Sequence, residues 1–337
     1  MTSSTPSPRP NTYLITGGAG FIGSHLAEAL LDQGHRVLVI DNLSTGRWSN
    51  IAHLADNPNF HFTRSSIEDT MVLDRLASES QVIFHLAAAV GVKLIVEQPV
   101  HTIETNIMAS EHVLKAALRY RCKTLIASTS EVYGKGVKIP FTEEDDVVLG
   151  PTSKSRWSYA ASKMIDEFLG LAYFKEYGAE IMCVRLFNTV GPRQTGQYGM
   201  GVPRLIQQAL KGAPLTVYGD GSQRRCFCDV RDVLPALIGV SAHKDAPGKI
   251  FNVGNTEEIS ILDLAKRILA LTRSSSKIVH VPFEEAYGPG FEDMQRRVPN
   301  ISRIKELIGW QPTRNLDAIL GSIIRYERGL SSAPVNT

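Results

Sequence analysis

The sequence predicts an α/β protein with a doubly wound parallel sheet and a smaller C-terminal α/β substrate lobe. Strand-like and helix-like segments alternate from residue 12 to residue 188, as expected for parallel strands joined by crossover helices. A glycine-rich turn, residues 16–23, joins the first strand to the first helix. After residue 188 the segments become shorter and Gly-Pro turns more frequent, which indicates the second lobe over residues 189–330.

The glycine-rich turn has the order of elements that a dinucleotide diphosphate requires. An apolar run, residues 13–15, leads into Gly17, Gly20 and Gly23, and a helical pattern follows. Glycine permits a tight turn and a close backbone approach, while the helix N-terminus directs free N–H groups at the phosphates. The sequence therefore predicts a Rossmann domain over residues 12–188.

Asp41 indicates which dinucleotide the domain binds. It ends the second apolar strand, residues 37–40, and lies eighteen residues after Gly23. A carboxylate there suits the ribose hydroxyls and disfavours a 2′-phosphate, so NAD is favoured over NADP, although Arg47 nearby keeps the alternative open. The pattern around Ile67 suits either contact of its side chain with the adenine ring or packing in the hydrophobic core. The other cofactor contacts expected are Phe21, Ile22, Asn42, Ser44, Thr45, Gly46, Ser66, Leu86, Ala87, Ala88, Asn106 and Ser128.

Composition restricts the partners. Hydrophobic residues make up 43% of the 337 residues, charged residues 21%, and the net charge is +2 without a basic face, so we expect no nucleic-acid partner. No apolar run approaches the roughly 20 residues of a membrane span. Residues 1–11, rich in Ser, Thr and Pro, lack a signal-peptide core and indicate a disordered leader, and residues 331–337 a flexible tail.

The four cysteines indicate buried free thiols in a reducing cytoplasm. Cys226 and Cys228 are separated by one residue, which is not a usual zinc spacing, and no second Cys/His pair follows. In a strand such residues share one face. We therefore expect no metal site and a cytoplasmic location.

Tyr159 and Lys163 are the candidate catalytic pair. They lie four residues apart in a predicted helix, residues 158–177, and hence on one face. A phenol is a poor base at neutral pH, but a nearby lysine and an oxidised nicotinamide favour the phenolate. Thr129, at the end of the fifth strand, is placed to hydrogen-bond the same sugar hydroxyl. The set suits proton removal coupled to hydride transfer, while Tyr-x-x-x-Lys alone is common on surfaces.

These motifs together resemble the extended short-chain dehydrogenases/reductases of the sugar-nucleotide branch. The resemblance covers roughly residues 12–330 and rests on Thr16–Gly23, Asp41-Asn42-Leu43, His85–Ala88, Ser128–Gly134, Tyr159 with Lys163, and Arg185–Asn188 with Gly191-Pro192-Arg193. It implies NAD that stays bound through turnover, a UDP-sugar substrate in the C-terminal lobe, and homodimers formed through helices equivalent to 100–119 and 158–177.

Glu131 separates the branches of this family. The 4,6-dehydratases typically have Thr-Asp-Glu at the positions of residues 129–131, whereas this chain has Ser130 between Thr129 and Glu131. Simple 4-epimerases have no carboxylate here because they do nothing at C5. A carboxylate after the threonine suits proton handling or water activation at C5. The alternative is that Glu131 caps a turn or pairs with a lysine such as Lys135.

Three further segments, residues 150–159, 225–232 and 287–293 with Arg297, resemble UDP-glucuronate decarboxylases. The resemblance implies that Glu131 and Arg297 flank the departing carboxylate; the alternative for Arg297 is an exposed arginine at a helix start. This chain departs from the family at Phe291 and Ile95, where tyrosines are usual. The substrate contacts expected are Val90, Thr129, Ser130, Arg156, Asn188, Arg193, Val202, Thr216, Tyr218, Arg225 and Phe291.

Three functions fit these observations. The first is NAD-dependent decarboxylation of UDP-glucuronate through a 4-keto intermediate, giving UDP-xylose or a UDP-4-keto-pentose. The second is a nucleotide-sugar 4-epimerase acting on UDP-glucuronate or UDP-glucose. The third is a non-catalytic NAD-binding regulatory protein, which would need none of Thr129, Tyr159 and Lys163.

Overall fold

The computed structural model describes residues 10–89, 97–136, 138–196, 201–287 and 292–329. Val90, Ile95 and Phe291, which the sequence places near the substrate, lie outside these ranges. None of the helices within them combines the length and apolar character needed to cross a membrane.

The first half of the chain alternates strands and helices, as predicted. In chain order they are β1 (Thr12–Thr16), α1 (Phe21–Asp32), β2 (Arg36–Ile40), β3 (Phe60–Thr63), α2 (Thr70–Ser78), β4 (Val82–His85), α3 (Pro99–Tyr120), β5 (Lys123–Thr129), α4 (Ser158–Tyr177) and β6 (Ile181–Leu186). Short 3-10 helices cover Trp48–Asn50, Ala52–Leu54, Ser130–Tyr133 and Ser155–Trp157.

The second half contains shorter elements. They are β7 (Thr189–Val190), α5 (Gly201–Leu210), β8 (Leu215–Tyr218), β9 (Arg224–Cys226), β10 (Cys228–Asp229), α6 (Val230–Ala242), β11 (Ile250–Val253), β12 (Glu258–Ser260), α7 (Ile261–Thr272), β13 (Ile278–Val281), α8 (Phe283–Tyr287), β14 (Arg296–Arg297), α9 (Ser302–Ile308) and α10 (Leu316–Glu327).

Seven parallel strands form the central sheet in the order β11-β6-β5-β4-β1-β2-β3. The strand order reverses between β1 and β4, where the last residues Thr16 and His85 are register partners. Doubly wound sheets bind ligands in the crevice at such a reversal, beyond the carboxyl ends of the strands. The predicted fold class is confirmed.

Alternation along β2 shows why the sheet needs helices on both faces. Val37 and Val39 pack with α1 and α6 in one core, whereas Leu38 and Ile40 pack with α2 and α3 in the other. All four side chains are fully buried. Each such burial contributes roughly 1.5–3 kcal/mol of hydrophobic free energy, so neither face can be left to solvent.

The second half supplies one strand to the central sheet and builds a separate core. β11 pairs with β6 along the edge of the sheet, and α6 packs against α1, so residues 228–253 join the first core. A third core lies between α5, α7 and α10 and includes Leu205, Ile268 and Leu320. The boundary at residue 188 stays a prediction, because the chain crosses between the two cores more than once.

Candidate active site

The glycine-rich turn is packed so tightly that side chains do not fit. Gly17 has φ +71°, and a Cβ there would lie 2.8 Å from backbone atoms of Ala87. A Cβ on Gly23 would lie 2.4 Å from the Gly17 carbonyl oxygen. Gly20 precedes α1 without a side-chain cap, so the first N–H groups of this helix remain available for an anion.

We expect Gly23→Ala to disrupt this turn. The added methyl group would overlap the Gly17 carbonyl, which lowers the free energy of unfolding by about 1–3 kcal/mol and weakens NAD binding by about a hundredfold. Gly201→Ala is the control, because a Cβ there meets nothing within 4 Å. Calorimetric NAD titration and thermal unfolding check both variants; normal NAD affinity in Gly23→Ala would contradict the assignment of the turn.

Asp41 follows β2 and lies beside the glycine-rich turn. Its carboxylate accepts hydrogen bonds from the backbone N–H of Ala19 at 3.0 Å and of Leu43 at 2.8 Å. Burial raises the pKa of Asp41, while these two hydrogen bonds act in the opposite direction. A Cβ on Gly46 would lie 2.8 Å from this carboxylate, so the loop carrying Gly46 covers it.

The remaining predicted cofactor residues surround this corner in different ways. Asn42 holds the loop by accepting a hydrogen bond from Ser44 N–H at 3.0 Å, and Ser66 accepts one from Glu68 N–H at 3.2 Å. Ile67 is buried in the core next to β2, so its apolar side chain serves packing there. Phe21, Ile22 and Leu86 pack against the core on the α1 side of the sheet.

His85 and Asn106 fix the segment that follows β4. His85 is bonded through Nδ1 to the Thr16 hydroxyl at 2.8 Å and through Nε2 to the Ser110 hydroxyl at 3.1 Å. Burial and the Lys163 cation lower its pKa to about 3, so the ring is neutral. Asn106 Oδ1 accepts the Ala89 N–H at 2.8 Å, and its amide donates to Ser162 at 3.1 Å.

Thr129, Tyr159 and Lys163 come together where β5 meets α4. Tyr159 and Lys163 are both buried, and the Thr129 side chain lies near the Tyr159 phenol, where it acts to lower the phenol pKa. Burial raises the pKa of Tyr159 well above its usual range, and the Glu131 and Asp166 carboxylates raise it further. The Lys163 ammonium, which the sequence expects to favour the phenolate, is paired with Asp166 at 2.6 Å. The role of Tyr159 as the base stays a prediction.

Glu131 lies between two arginines rather than beside Lys135. One carboxylate oxygen pairs with Arg156, and the other is 3.3 Å from Arg297. Burial acts to raise the pKa of Glu131, but the Arg156, Arg297 and Arg225 cations lower it to about 2. Glu131 is therefore a carboxylate at neutral pH, and Lys135 pairs with Glu292 at 2.7 Å instead.

Arg225 and Asp293 complete a largely buried cluster of five charged groups. Arg225 is 2.7 Å from Asp293, and Arg156 is 3.8 Å from the same carboxylate. Burial and the Arg297 cation lower the pKa of Arg225 to about 10. This arginine cluster, Glu131, Arg156, Arg225, Asp293 and Arg297, holds one more cation than anion, which suits an anionic ligand.

The chain segment that carries Arg297 is fastened to the site at three points. Glu292 accepts a hydrogen bond from the Trp157 indole at 3.0 Å, Asp293 binds Arg225, and Arg297 pairs with Glu131. Arg297 is in β14, parallel to β9, and is 13% exposed, so it is not an exposed arginine at a helix start. The contacts of Glu292 and Asp293 were not predicted, because they join segments more than sixty residues apart.

Other predicted substrate residues are engaged within the second lobe. Thr216 accepts a hydrogen bond from Arg204 at 2.8 Å, and the Arg204 guanidinium lies 4.0 Å from the centre of the Tyr218 ring. Val202 belongs to the third core. Asn188, with φ +33°, donates a hydrogen bond to the Cys226 carbonyl at 3.0 Å.

Arg193 and Ser128 have partners away from the arginine cluster. Arg193 donates hydrogen bonds to Glu28 at 2.7 Å and to Ser24 at 3.3 Å, so it links the second lobe to α1, the helix that follows the glycine-rich turn. The Ser128 hydroxyl donates to Glu167, which also binds Arg185. Ser130 is buried beside Glu131. All four cysteines are buried and unbridged, and the described residues contain no group arranged to hold a metal ion.

A doubly wound sheet, an uncapped glycine turn and Asp41, together with Thr129 beside the buried Tyr159 and Lys163, are typical of the dinucleotide-dependent short-chain dehydrogenase/reductase class. The family model described as GDP-mannose 4,6 dehydratase matches residues 14–323. The chain belongs to this family of extended short-chain dehydrogenases/reductases.

Relatives within the family are nucleotide-sugar enzymes. The chain is 44% identical to UDP-N-acetyl-alpha-D-glucosaminuronate decarboxylase of Bacillus cytotoxicus, over 95% of this chain and 98% of the relative. It is 37% identical to UDP-glucuronic acid decarboxylase 1 of Danio rerio, over 93% of this chain and 72% of the relative. The structure of Bacillus cereus UDP-glucuronic acid 4-epimerase with UDP-glucuronic acid and NAD superposes with a TM-score of 0.85 at 30% identity, covering 95% and 99% of the chains.

Proposed function

We propose that this protein is an NAD-dependent decarboxylase of UDP-glucuronate that works through a 4-keto intermediate and yields UDP-xylose or a UDP-4-keto-pentose. The observation that carries the proposal is the Glu131 carboxylate held between Arg156 and Arg297 next to Tyr159. Two relatives named as uronate decarboxylases support it. A regulatory protein would have no use for Thr129, Tyr159 and Lys163 together.

The residues present fit NAD. The turn at Gly17, Gly20 and Gly23 leaves no room for side chains and presents the uncapped N-terminus of α1, which would hold the diphosphate. Asp41 would hold the adenosine ribose. Bound NAD supplies reversible hydride acceptance at C4 of the sugar.

Each residue of the site has a separate task in this proposal. Thr129 and Tyr159 hold the C4 hydroxyl, and Tyr159 takes its proton. The resulting C4 ketone makes the C5 carboxylate a β-keto acid, whose carbon dioxide leaves behind an enolate. Arg297 pairs with the carboxylate and then with the negative charge of the enolate. Lys163 keeps a positive charge beside the phenol.

Glu131 acts as a carboxylate rather than as a resting proton donor. Its pKa of about 2 means that it carries no proton at neutral pH before the substrate binds. A substrate carboxylate that draws Arg297 away removes one of the cations that lower this pKa. Glu131 can then take a proton from solvent and pass it to C5 of the enolate, which regenerates the carboxylate, and its charge before this step disfavours the bound carboxylate relative to neutral carbon dioxide.

Two alternatives have their own support. The relative at 44% identity acts, by its name, on UDP-N-acetylglucosaminuronate, which favours that nucleotide as a second substrate candidate. The Bacillus cereus neighbour supports 4-epimerisation of UDP-glucuronate. Incubating the purified protein with each nucleotide separately and measuring released carbon dioxide distinguishes the two substrates; release from neither would reject decarboxylation.

The position of Asp41 leads to a preference for NAD. A 2′-phosphate would meet the buried Asp41 carboxylate, which already accepts the Ala19 and Leu43 N–H groups and cannot move away cheaply. We expect NAD to bind at least about tenfold more tightly than NADP, a difference of about 1.4 kcal/mol. Isothermal calorimetry with both dinucleotides measures this ratio, and equal dissociation constants would contradict it.

We also propose that the protein is a cytoplasmic homodimer formed through α3 and α4. These two helices pack together and carry exposed apolar side chains, among them Val100, Met108 and Phe168. Apolar groups exposed on adjacent helices indicate a protein interface. The four buried free thiols suit a reducing compartment.

Phe168→Glu should convert the dimer into monomers. Phe168 is 65% exposed, and a carboxylate at the centre of an apolar interface is expected to weaken association by about a hundredfold or more. Met71→Glu on α2 is the control, since Met71 is exposed on another helix. Light scattering coupled to size exclusion should give twice the 37.0 kDa chain mass for wild type and control. A dimeric Phe168→Glu variant would place the interface elsewhere.

A further inference from the structure

Asp166 shares a helix face with the catalytic pair. Tyr159, Lys163 and Asp166 are spaced by four and then three residues on α4, so their side chains lie in one row. Asp166 is fully buried, and its Oδ2 is 2.6 Å from the Lys163 ammonium. The row places a carboxylate directly behind the lysine, on the side away from Tyr159.

The buried pair leaves one oxygen unused. Asp166 Oδ1 is buried and has no hydrogen-bond partner among the residues that the structure describes. An unsatisfied buried acceptor is unfavourable, so this oxygen does not contribute to the stability of the fold. The free oxygen allows the ammonium to turn between Oδ2 and Oδ1 without losing its counter-ion.

The groups around the pair come from every neighbouring element. Tyr159 is near Thr129 of β5, Glu131 and Arg156. Lys163 is near His85 of β4, which is neutral, and Cys183 of β6, whose thiol pKa is raised by burial.

A second carboxylate on the same helix, that of Glu167, has other partners. Glu167, the residue after Asp166, is bound by Arg185 and Ser128. Asp166 is thus the carboxylate that pairs with Lys163.

We propose that Asp166 is a positioning residue that holds the Lys163 ammonium in the catalytic row and limits how much of its positive charge reaches Tyr159. This inference rests on the proposed function, because it assigns Tyr159 as the base. The Asp166 charge raises the pKa of Tyr159, so removing that charge should lower it. A structural role alone would change stability without moving this titration.

The test compares wild type with Asp166→Asn, which keeps the shape and one acceptor oxygen. The proteins carry tyrosine labelled with carbon-13 at Cζ and are saturated with NAD; Tyr159→Phe identifies the resonance. We expect the Tyr159 titration midpoint in Asp166→Asn to lie at least about one pH unit below wild type. Glu176→Gln, an exposed change on the same helix, should leave the midpoint unchanged.

Single-turnover hydride transfer gives a second readout. The acidic limb of its pH–rate profile should move to lower pH in Asp166→Asn, by the same number of pH units as the Tyr159 titration midpoint. An unchanged or higher midpoint would overturn the proposal, and Asp166→Ser replaces Asp166→Asn if the latter does not fold. If wild type oxidises neither UDP-uronate, the proposed function fails, whereas the NMR titration still decides the role of Asp166.

Discussion

Glu131→Gln is expected to reduce carbon dioxide release from UDP-glucuronate by about a hundredfold while NAD and nucleotide-sugar binding persist. Glutamine keeps the size and one hydrogen-bond acceptor but removes the charge that Arg156 and Arg297 hold in place. The charge is needed at C5, whereas oxidation at C4 uses Thr129 and Tyr159. Carbon dioxide release and transient NADH absorbance, measured together, separate the two steps.

Arg297→Met should likewise reduce carbon dioxide release while oxidation at C4 persists, because methionine keeps much of the length of arginine and removes the cation. A matched control exists in the same strand. Arg296 pairs with Glu258, so Arg296→Met removes a neighbouring cation outside the Glu131 pair. Normal decarboxylation in Glu131→Gln or Arg297→Met would reject the C5 assignment.

The charge on Glu131 also makes the fold sensitive to acid. Its folded pKa, about 2, is below the ordinary value of 4.5, so its contribution to stability is present above pH 4.5. That contribution is lost as the pH falls toward 2. In Glu131→Gln this part of the pH dependence should disappear, while Arg156 and Arg297 remain close without their counter-ion.

Tyr159→Phe should lower hydride transfer by about a hundredfold or more with nucleotide binding nearly unchanged. The ring stays in its buried place and the ionisable hydroxyl is lost. Tyr173→Phe, on the same helix and partly buried against the core, is the control and should behave as wild type. Stopped-flow NADH absorbance after mixing with UDP-glucuronate measures the rate; a near-normal burst would reject Tyr159 as the base.

The pH dependence of this step follows from the burial of Tyr159. Burial raises the pKa of Tyr159, so the phenolate population, and with it the rate, should increase as the pH rises through the neutral range. Bound oxidised nicotinamide brings positive charge that moves the onset to lower pH. A rate that falls with rising pH would assign the proton to another group.

The sequence predicted the parts of the site that depend on local geometry. The turn at Gly17–Gly23 and the spacing of Tyr159 and Lys163 each act within one strand–helix unit, so short-range patterns reveal them. Asp166 belongs to the same row, and its spacing of seven residues from Tyr159 was a signal available in the sequence. Its pairing with Lys163, which changes the environment of the phenol, became visible only in the structure.

The rest could not be predicted, because it depends on contacts between distant segments. Arg225 and Asp293 meet because β14 lies beside β9, and Glu131 meets Arg297 across 166 residues of chain. These contacts hold the Glu131 carboxylate between two arginines, whereas the sequence also allowed a pairing with Lys135. Resemblance supplied the identity of Arg297, but only the structure shows that it pairs with Glu131.

The most direct test of the central claim follows the carboxylate of the substrate. UDP-glucuronate labelled with carbon-13 at C6 is incubated with the wild-type protein and NAD, and the products are observed by NMR. The account predicts that the label leaves as carbon dioxide and bicarbonate while a UDP-pentose or UDP-4-keto-pentose forms. A label retained in UDP-galacturonate would contradict it and show that Glu131 and Arg297 hold the carboxylate during epimerisation at C4.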